Sequence, residues 1–234
     1  MNRTPTRTLE KARLDGARVT LEPLGQEHLE GLANAIEDGR LWEIPVTFVP
    51  HPQDLAAFVE QAEAAFCDGR ELAFAIIDKA SGKVAGSTRF RCIDFGHQRA
   101  EIGFTFLGQS WQRSHINTEA KYLMLKHAFE CWGLNRVELL TDVLNDKSRA
   151  AIARIGAREE GILRNHMVMR DGRIRDSVVF SIVRAEWPEV AVLLAQKIPP
   201  VPIVAAADSS NSVPDLNHCS PGLAHSQPDC LTGF

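Results

Sequence analysis

The residues best placed for chemistry lie where an alternating run, RAEIGFTFLG, gives way to a helically spaced one, WQRSHINTEAKYLMLKHAFECWG. Between them, the turn Gln112-Arg113-Ser114-His115-Ile116-Asn117-Thr118 combines one fixed cation, Arg113, with hydroxyl and amide side chains. The first turn of a helix has backbone N–H groups without intrahelical partners, and the helix dipole adds about half a positive charge there. A strand entering a helix through such a turn is therefore an anion site, and a diphosphate would suit it. The same residues also permit an ordinary helix start capped by Asn117 or Thr118. Glu101, on the strand just ahead of this turn, is a carboxylate that could attract a cationic amine and take a proton from it. It could equally be a strand-surface glutamate paired with Arg99 or Arg164.

Around this segment the chain reads as one α/β domain. ARVTLEPL alternates as a strand, and GQEHLEGLANAIEDG follows with Leu29, Leu32, Ala33 and Ile36 at helical spacing before Gly39. After a loop broken by Pro45, Pro50 and Pro52, a second helix from Asp54 to about Asp68 puts Leu55, Phe58, Val59, Ala62 and Phe66 on one face. ELAFAIID and KVAGSTRFRCI form a hairpin across KASGK. The helix after the anion turn is expected to begin near Asn117, with Ala120, Leu123, Met124, Ala128 and Trp132 as its apolar stripe and Gly133 as its stop. RVELLTDV is a strand, NDKSRAAIARIGA a short helix, and REEGILRNHMVM pairs with RIRDSVVFSIV through Asp171-Gly172. EWPEVAVLLAQKI closes the fold as a helix with Pro188 in its first turn. The order β-α-α-β-β-β-α-β-α-β-β-α implies a single mixed, mostly antiparallel sheet with helices on both faces.

Composition narrows the function classes. The chain has 234 residues, 44% hydrophobic and 24% charged, with a net charge of -4. That suits a globular core and gives no reason to expect nucleic acid, whose binding proteins usually carry a basic patch. No apolar run reaches the ~20 residues of a membrane span. The five cysteines, Cys67, Cys92, Cys131, Cys219 and Cys230, are odd in number and contain no CxxC pair, which fits a reduced, cytoplasmic protein. Residues 1–17 read as a disordered leader, 18–197 as the domain, and 198–234 as a disordered Pro/Ser/Ala-rich tail. In that tail His218, Cys219, His225 and Cys230 match no structural zinc spacing, so no metal is expected.

The stretch from AEIGFTFLG through WQRSHINTEAK to NDKSRAAIARIGA is similar to the core of the GNAT (GCN5-related N-acetyltransferase) superfamily. It most resembles the branch containing the ribosomal-protein-alanine N-acetyltransferases, to which LWEIP after the first helix is also similar. The resemblance implies the GNAT fold and an acetyl-CoA-dependent N-acetyltransferase. It implies that backbone amides of Gln112, Arg113, Ser114, His115, Ile116, Asn117 and Thr118 cradle the diphosphate. The strand residues Phe104, Thr105, Phe106 and Leu107 would pair with the pantetheine arm where two strands splay apart, and Asn145 would hydrogen-bond the same arm.

Two departures stand out. The family's small residues in this turn are replaced by His115 and Asn117; His115 would either crowd the ligand or, if only its N–H is needed, point outward. The tyrosine that many members use as general acid is absent: its position falls near Ile152, and the chain's one tyrosine is Tyr122. Ser148, three residues after Asn145, is the substitute proton donor, or else an ordinary helix-surface serine. Trp42, Glu43, Arg164 and His166 are candidates to line the acceptor side. The acceptor is a primary amine, either a protein N-terminus or a small molecule such as a polyamine or an aminoglycoside. An α-amine with pKa ~8 needs less help from a base than a lysine at ~10.4. A non-catalytic acyl-CoA-binding or sensory module of the same fold is the competing reading. The resemblance also allows a homodimer, with no particular residue to assign to it.

Overall fold

The computed structural model of the protein describes residues 7–200. Eight strands form one sheet in the order β1-β2-β3-β4-β5-β6-β8-β7. They are β1 (Leu14–Asp15), β2 (Val19–Pro23), β3 (Leu72–Asp78), β4 (Lys83–Asp94), β5 (Arg99–Leu107), β6 (Arg136–Asp142), β7 (Arg158–Val168) and β8 (Ile174–Val183). Five α-helices accompany them: α1 (Leu29–Glu37), α2 (Leu55–Cys67), α3 (His115–Lys126), α4 (Asp146–Arg154) and α5 (Trp187–Ala195). Every neighbouring pair is antiparallel except β5 and β6.

Alternation along the strands sends side chains to two apolar layers. From β3, Leu72, Phe74 and Ile76 enter the larger one beside Met124 of α3, Ile152 of α4 and Leu194 of α5. Ala73 and Ala75 enter the smaller one beside Ile36 of α1 and Val59 of α2. The sheet is thus covered by α3, α4 and α5 on one face and by α1 and α2 on the other, with the second cover reaching β5 only through Phe106.

Three local features differ from expectation. Residues 7–17 are not a leader outside the fold: β1 pairs with β2, and Leu9 and Leu14 are buried in the larger core. Short apolar residues scattered among charges hid this from periodicity. The helix after the anion turn begins at His115 rather than near Asn117, because Ser114, in extended conformation, accepts a hydrogen bond from the Ile116 N–H at 3.3 Å and acts as its cap. Beyond Lys126 the helix continues as one π turn, His127–Cys131, before Gly133 ends it with φ 69°. The tail from 201 onward, with His218, Cys219, His225 and Cys230, lies outside the described residues.

The junction of β4 and β5 is tight where the site begins. Gly86 lies opposite Leu107, and a Cβ added to it would stand 2.0 Å from the Phe106 carbonyl oxygen. Gly86→Ala is therefore expected to destabilise the fold by roughly 1–3 kcal/mol, the range for overpacking a filled interior. Urea unfolding at equilibrium checks this.

Candidate active site

Pairing between β5 and β6 lasts for three residue pairs and stops at Glu101 with Glu138. Beyond that point Ile102 to Leu107 have no partner on β6, and Leu139 to Asp142 pair only with β8. A β-bulge accompanies the parting. On β5, Phe104 and Thr105 face the single residue Thr88 of β4, and Phe104 adopts φ 47°. An extra residue on one strand bends it away from its neighbours. The result is a cleft edged by free backbone donors and acceptors, open to a ligand that carries amide groups of its own.

At its far end β5 leads into the N-terminus of α3. Gln112 donates from Nε2 to the Leu107 carbonyl at 2.9 Å, and the Ser114 hydroxyl donates to the Trp111 carbonyl at 2.6 Å, so the turn is fixed from within. Arg113 is exposed and takes φ 58°, the left-handed region that favours glycine. His115 departs from the outward orientation. Its Nε2 is buried with no hydrogen-bond partner among the described residues, and Asp78 at the end of β3 is within its electrostatic reach. Burial opposes ionisation of the Asp78 carboxyl, but hydrogen bonds from Ser81, Ala80 and Trp111, together with His115, hold it below its ordinary value. Ile116 is buried in the core, while Asn117 and Thr118 are half-buried.

Of the four strand residues assigned to the arm, Phe106 and Leu107 bury their side chains, one in each apolar layer. Only their backbone is available. Asn145 caps α4 by accepting from the Ser148 N–H at 3.0 Å, and its Nδ2 lies 3.5 Å from the Val46 carbonyl. That second contact ties the α1–α2 loop, at Val46, to the start of α4.

Glu101 lies on the face covered by α1 and α2, just beyond the reach of that cover. Its partner is Arg91, at 3.3 Å, not Arg99 or Arg164. Arg91 also binds Glu71 at 3.2 Å, and Glu71 binds Arg89 at 2.9 Å. Burial raises the Glu101 pKa; Arg91 opposes this, while Glu138 and Glu71 add to it. A carboxylate tuned upward is a better base than an exposed one. Arg175 acts on Glu101 electrostatically and donates to the Ser177 hydroxyl at 2.9 Å, which lies 2.9 Å from Nδ1 of His166. His166 and Arg164 sit on a second bulge, in β7, and line an open hollow with Asp176.

The predicted residues therefore separate into groups. Glu101 and His166 are linked through Arg175 and Ser177. Ser148 joins Asn145 at the start of α4. Trp42 and Glu43 form a local set with Arg40 and His51: Glu43 pairs with Arg40, and the Trp42 and His51 rings meet edge-on at 5.1 Å. Among the described residues no hydrogen bond or ion pair ties that set to Glu101. Ile152 is buried and Tyr122 packs beside Trp187 at 6.0 Å, so no tyrosine reaches the cleft. Sequence reasoning missed Glu71, Arg89, Arg91 and Lys121. The alternation of β4 (Thr88, Arg89, Phe90, Arg91) placed two arginines on one face, a signal that was present but unspecific.

Comparison with known proteins agrees with this geometry. The acetyltransferase (GNAT) domain family matches residues 18–158. The putative ribosomal N-acetyltransferase YdaF of Bacillus subtilis (strain 168) is 34% identical over 106 residues, 45% of this chain and 57% of that protein. The crystal structure of a GCN5-related N-acetyltransferase from Brucella melitensis superposes with a TM-score of 0.75 at 34% identity, covering 85% of this chain and 90% of that one. Mycobacterium smegmatis RimJ in complex with CoA-disulfide gives a TM-score of 0.67 at 25% identity, covering 80% and 93%. Among the described residues no group of histidine, cysteine and carboxylate side chains could hold a metal, and no helix is long and apolar enough to cross a membrane. With its parted strands, its bulge and its helix N-terminus in this order, the chain belongs to the GNAT acetyltransferase family and is an N-acetyltransferase.

Proposed function

We propose that the protein transfers the acetyl group of acetyl-CoA directly to a primary amine, and that the amine is the α-amine of a protein N-terminus. The observation that carries the reading is the parting of β5 from β6 immediately after Glu101, which sets a partly buried carboxylate at the inner end of a cleft whose outer end is the turn at the start of α3. Amides of 112–118 and the Arg113 guanidinium would hold the diphosphate. The free backbone of Phe104 to Leu107 and Nδ2 of Asn145 would hold the pantetheine arm.

The chain's own groups then account for the chemistry. The neutral amine attacks the thioester carbonyl, the new C–N bond replaces the C–S bond, and the amine proton passes to Glu101. Ser148 relays a proton to the departing thiolate, giving up its hydroxyl proton as it takes one from solvent water so that no alkoxide forms. The thiolate is a weak base that needs little help at a Cys-like pKa of ~8.5. His166, Arg164, Trp42 and Glu43 are left to line the acceptor side. One carboxylate of raised pKa suits an α-amine better than a lysine, since the α-amine is already roughly a tenth neutral at pH 7. The name of the YdaF relative points to the same acceptor class.

Calorimetric titration with acetyl-CoA is the first test, followed by mass spectrometry of ribosomal-protein N-terminal peptides, polyamines and aminoglycosides incubated with both. Micromolar binding and acetylation confined to peptide N-termini support the reading. Acetylation confined to small amines would move the acceptor, and binding without turnover on any amine would make the protein an acyl-CoA sensor. Arg113→Ser is expected to weaken acetyl-CoA by roughly fivefold and to flatten its salt dependence, as befits one exposed cation-phosphate contact worth about 1 kcal/mol.

A further inference from the structure

The bulge that opens the cleft is held from behind by a lysine without a counter-ion. Lys121 of α3 is 5% exposed, and its Nζ lies 2.6 Å from Oγ1 of Thr105 and 3.0 Å from Oγ1 of Thr88. The two hydroxyls are themselves 2.8 Å apart. These are the β4 residue and one of the two β5 residues that face each other across the bulge. Among the described residues no carboxylate pairs with Lys121, and burial alone lowers its pKa to about 7. A neutral amine has two N–H groups and one lone pair, enough to complete a ring with two hydroxyls and no net charge. A methionine would fill the same space without burying an ionisable group, so packing alone does not explain a lysine here.

The opposite face of the bulge is held as well. The Phe104 ring lies beneath the guanidinium groups of Arg91 at 4.5 Å and Arg89 at 4.9 Å, both fixed by Glu71. Among the described residues Thr105 is held from outside its own strand only by Lys121 and Thr88; its other contact, at 3.5 Å, is to the Gly103 carbonyl two residues back.

We propose that Lys121 is a positioning residue for acetyl transfer: by fixing Thr105 from the α3 side, it sets the backbone of Gly103 to Leu107 at the separation from β6 that the pantetheine arm requires. The inference rests on the acetyl-CoA reading above. It makes Lys121 a residue that never touches the acceptor and acts only through the β5 backbone.

The test uses the full chain as wild type, Lys121→Met, Thr105→Val and the double variant. Acetyl-CoA and adenosine 3′,5′-bisphosphate, which carries the nucleotide half without the arm, are titrated against each. Amide hydrogen exchange is followed over 103–107 without ligand. Lys121→Met is expected to weaken acetyl-CoA at least tenfold and the bisphosphate less than twofold, with exchange over 103–107 at least tenfold faster and no loss of melting temperature. Thr105→Val should do the same, and the double variant should be no worse than either single one, since all three remove one contact. Acetyl-CoA affinity and exchange unchanged in both single variants would overturn the inference and leave Lys121 as filler. Equal weakening of both ligands would also overturn it, because the effect would then lie in the helix start. Should Lys121→Met fail to fold, Thr105→Val decides by the same readouts. Failure of wild type to bind acetyl-CoA would instead remove the underlying reading, and is told apart by occurring without any substitution.

Discussion

Glu101→Gln is expected to lower kcat about a hundredfold at pH 7, the lower end of the range for a lost general base, and far less at pH 9. The substitution keeps the shape of the side chain and an oxygen for Arg91, so the ion-pair chain to Glu71 loses one charge and no packing. Arg91 retains Glu71 at 3.2 Å and is not left unpaired. What disappears is the capacity to accept a proton. The direction of the pH effect follows from the acceptor: at pH 9 an α-amine of pKa ~8 is mostly neutral and needs little from a base, whereas at pH 6 about one molecule in a hundred is neutral. Burial holds the Glu101 pKa above its ordinary value, so the wild-type enzyme should itself lose activity as pH falls through that raised value, where the carboxylate is protonated. The variant has no such group, and its remaining activity should track the neutral amine alone. Steady-state kinetics of both proteins from pH 5.5 to 9.5 on an N-terminal peptide decide the matter. A loss that is the same at every pH would make Glu101 an orienting group that hydrogen-bonds the amine without taking its proton.

The distribution of what could be read in advance has a physical cause. Alternation and helical spacing report which side chains face a core, and there the reading was nearly complete: Ala120, Leu123, Met124, Ala128 and Trp132 are all buried as the spacing implies. The order of elements followed from the same signal, apart from β1, whose two residues are too few to alternate. The position of the cleft was legible only through resemblance. A bulge of one residue at Phe104 leaves no periodic trace, since Gly103, Phe104 and Thr105 would each fit a regular strand. Polar residues gave the weakest signals. An outward His115 follows if the turn needs only its backbone N–H, yet its Nε2 is buried and its ring acts electrostatically on Asp78, a contact between distant segments that local spacing does not record. Lys121 stood among the apolar positions of α3, one residue after Ala120, where a lysine normally extends its stem and leaves its charge in water. Nothing in the one-dimensional pattern indicates that two threonines, Thr88 and Thr105, wait opposite it.

That lysine should reverse the usual relation between stability and function. In the folded protein burial lowers its pKa to about 7, against ~10.4 in an unfolded chain. Between those values the unfolded state binds a proton that the folded state does not, so stability rises with pH across this window and levels off below it. The full shift corresponds to a penalty on the order of 5 kcal/mol well below pH 7 and about 4 kcal/mol at pH 7, where the folded group is half protonated, at ~1.4 kcal/mol for each pH unit. Two hydrogen bonds to Thr105 and Thr88, each worth about 1 kcal/mol net, offset part of it. Lys121→Met should therefore make the protein more stable at pH 7, by roughly 2 kcal/mol, even as the cleft loses its geometry. The excess should shrink steadily toward pH 10, where wild type no longer bears the penalty. Urea unfolding of both proteins at pH 7, 8, 9 and 10 measures the difference, in which the titration of thiols, the terminal amine and other lysines cancels. A difference that does not vary with pH would mean that Lys121 remains charged in the fold, with water reaching its amine. A difference that closes with pH would place an ionisable group where an apolar one would be more stable. That is the pattern expected when a residue serves the positioning of a cofactor strand rather than the stability of the core around it.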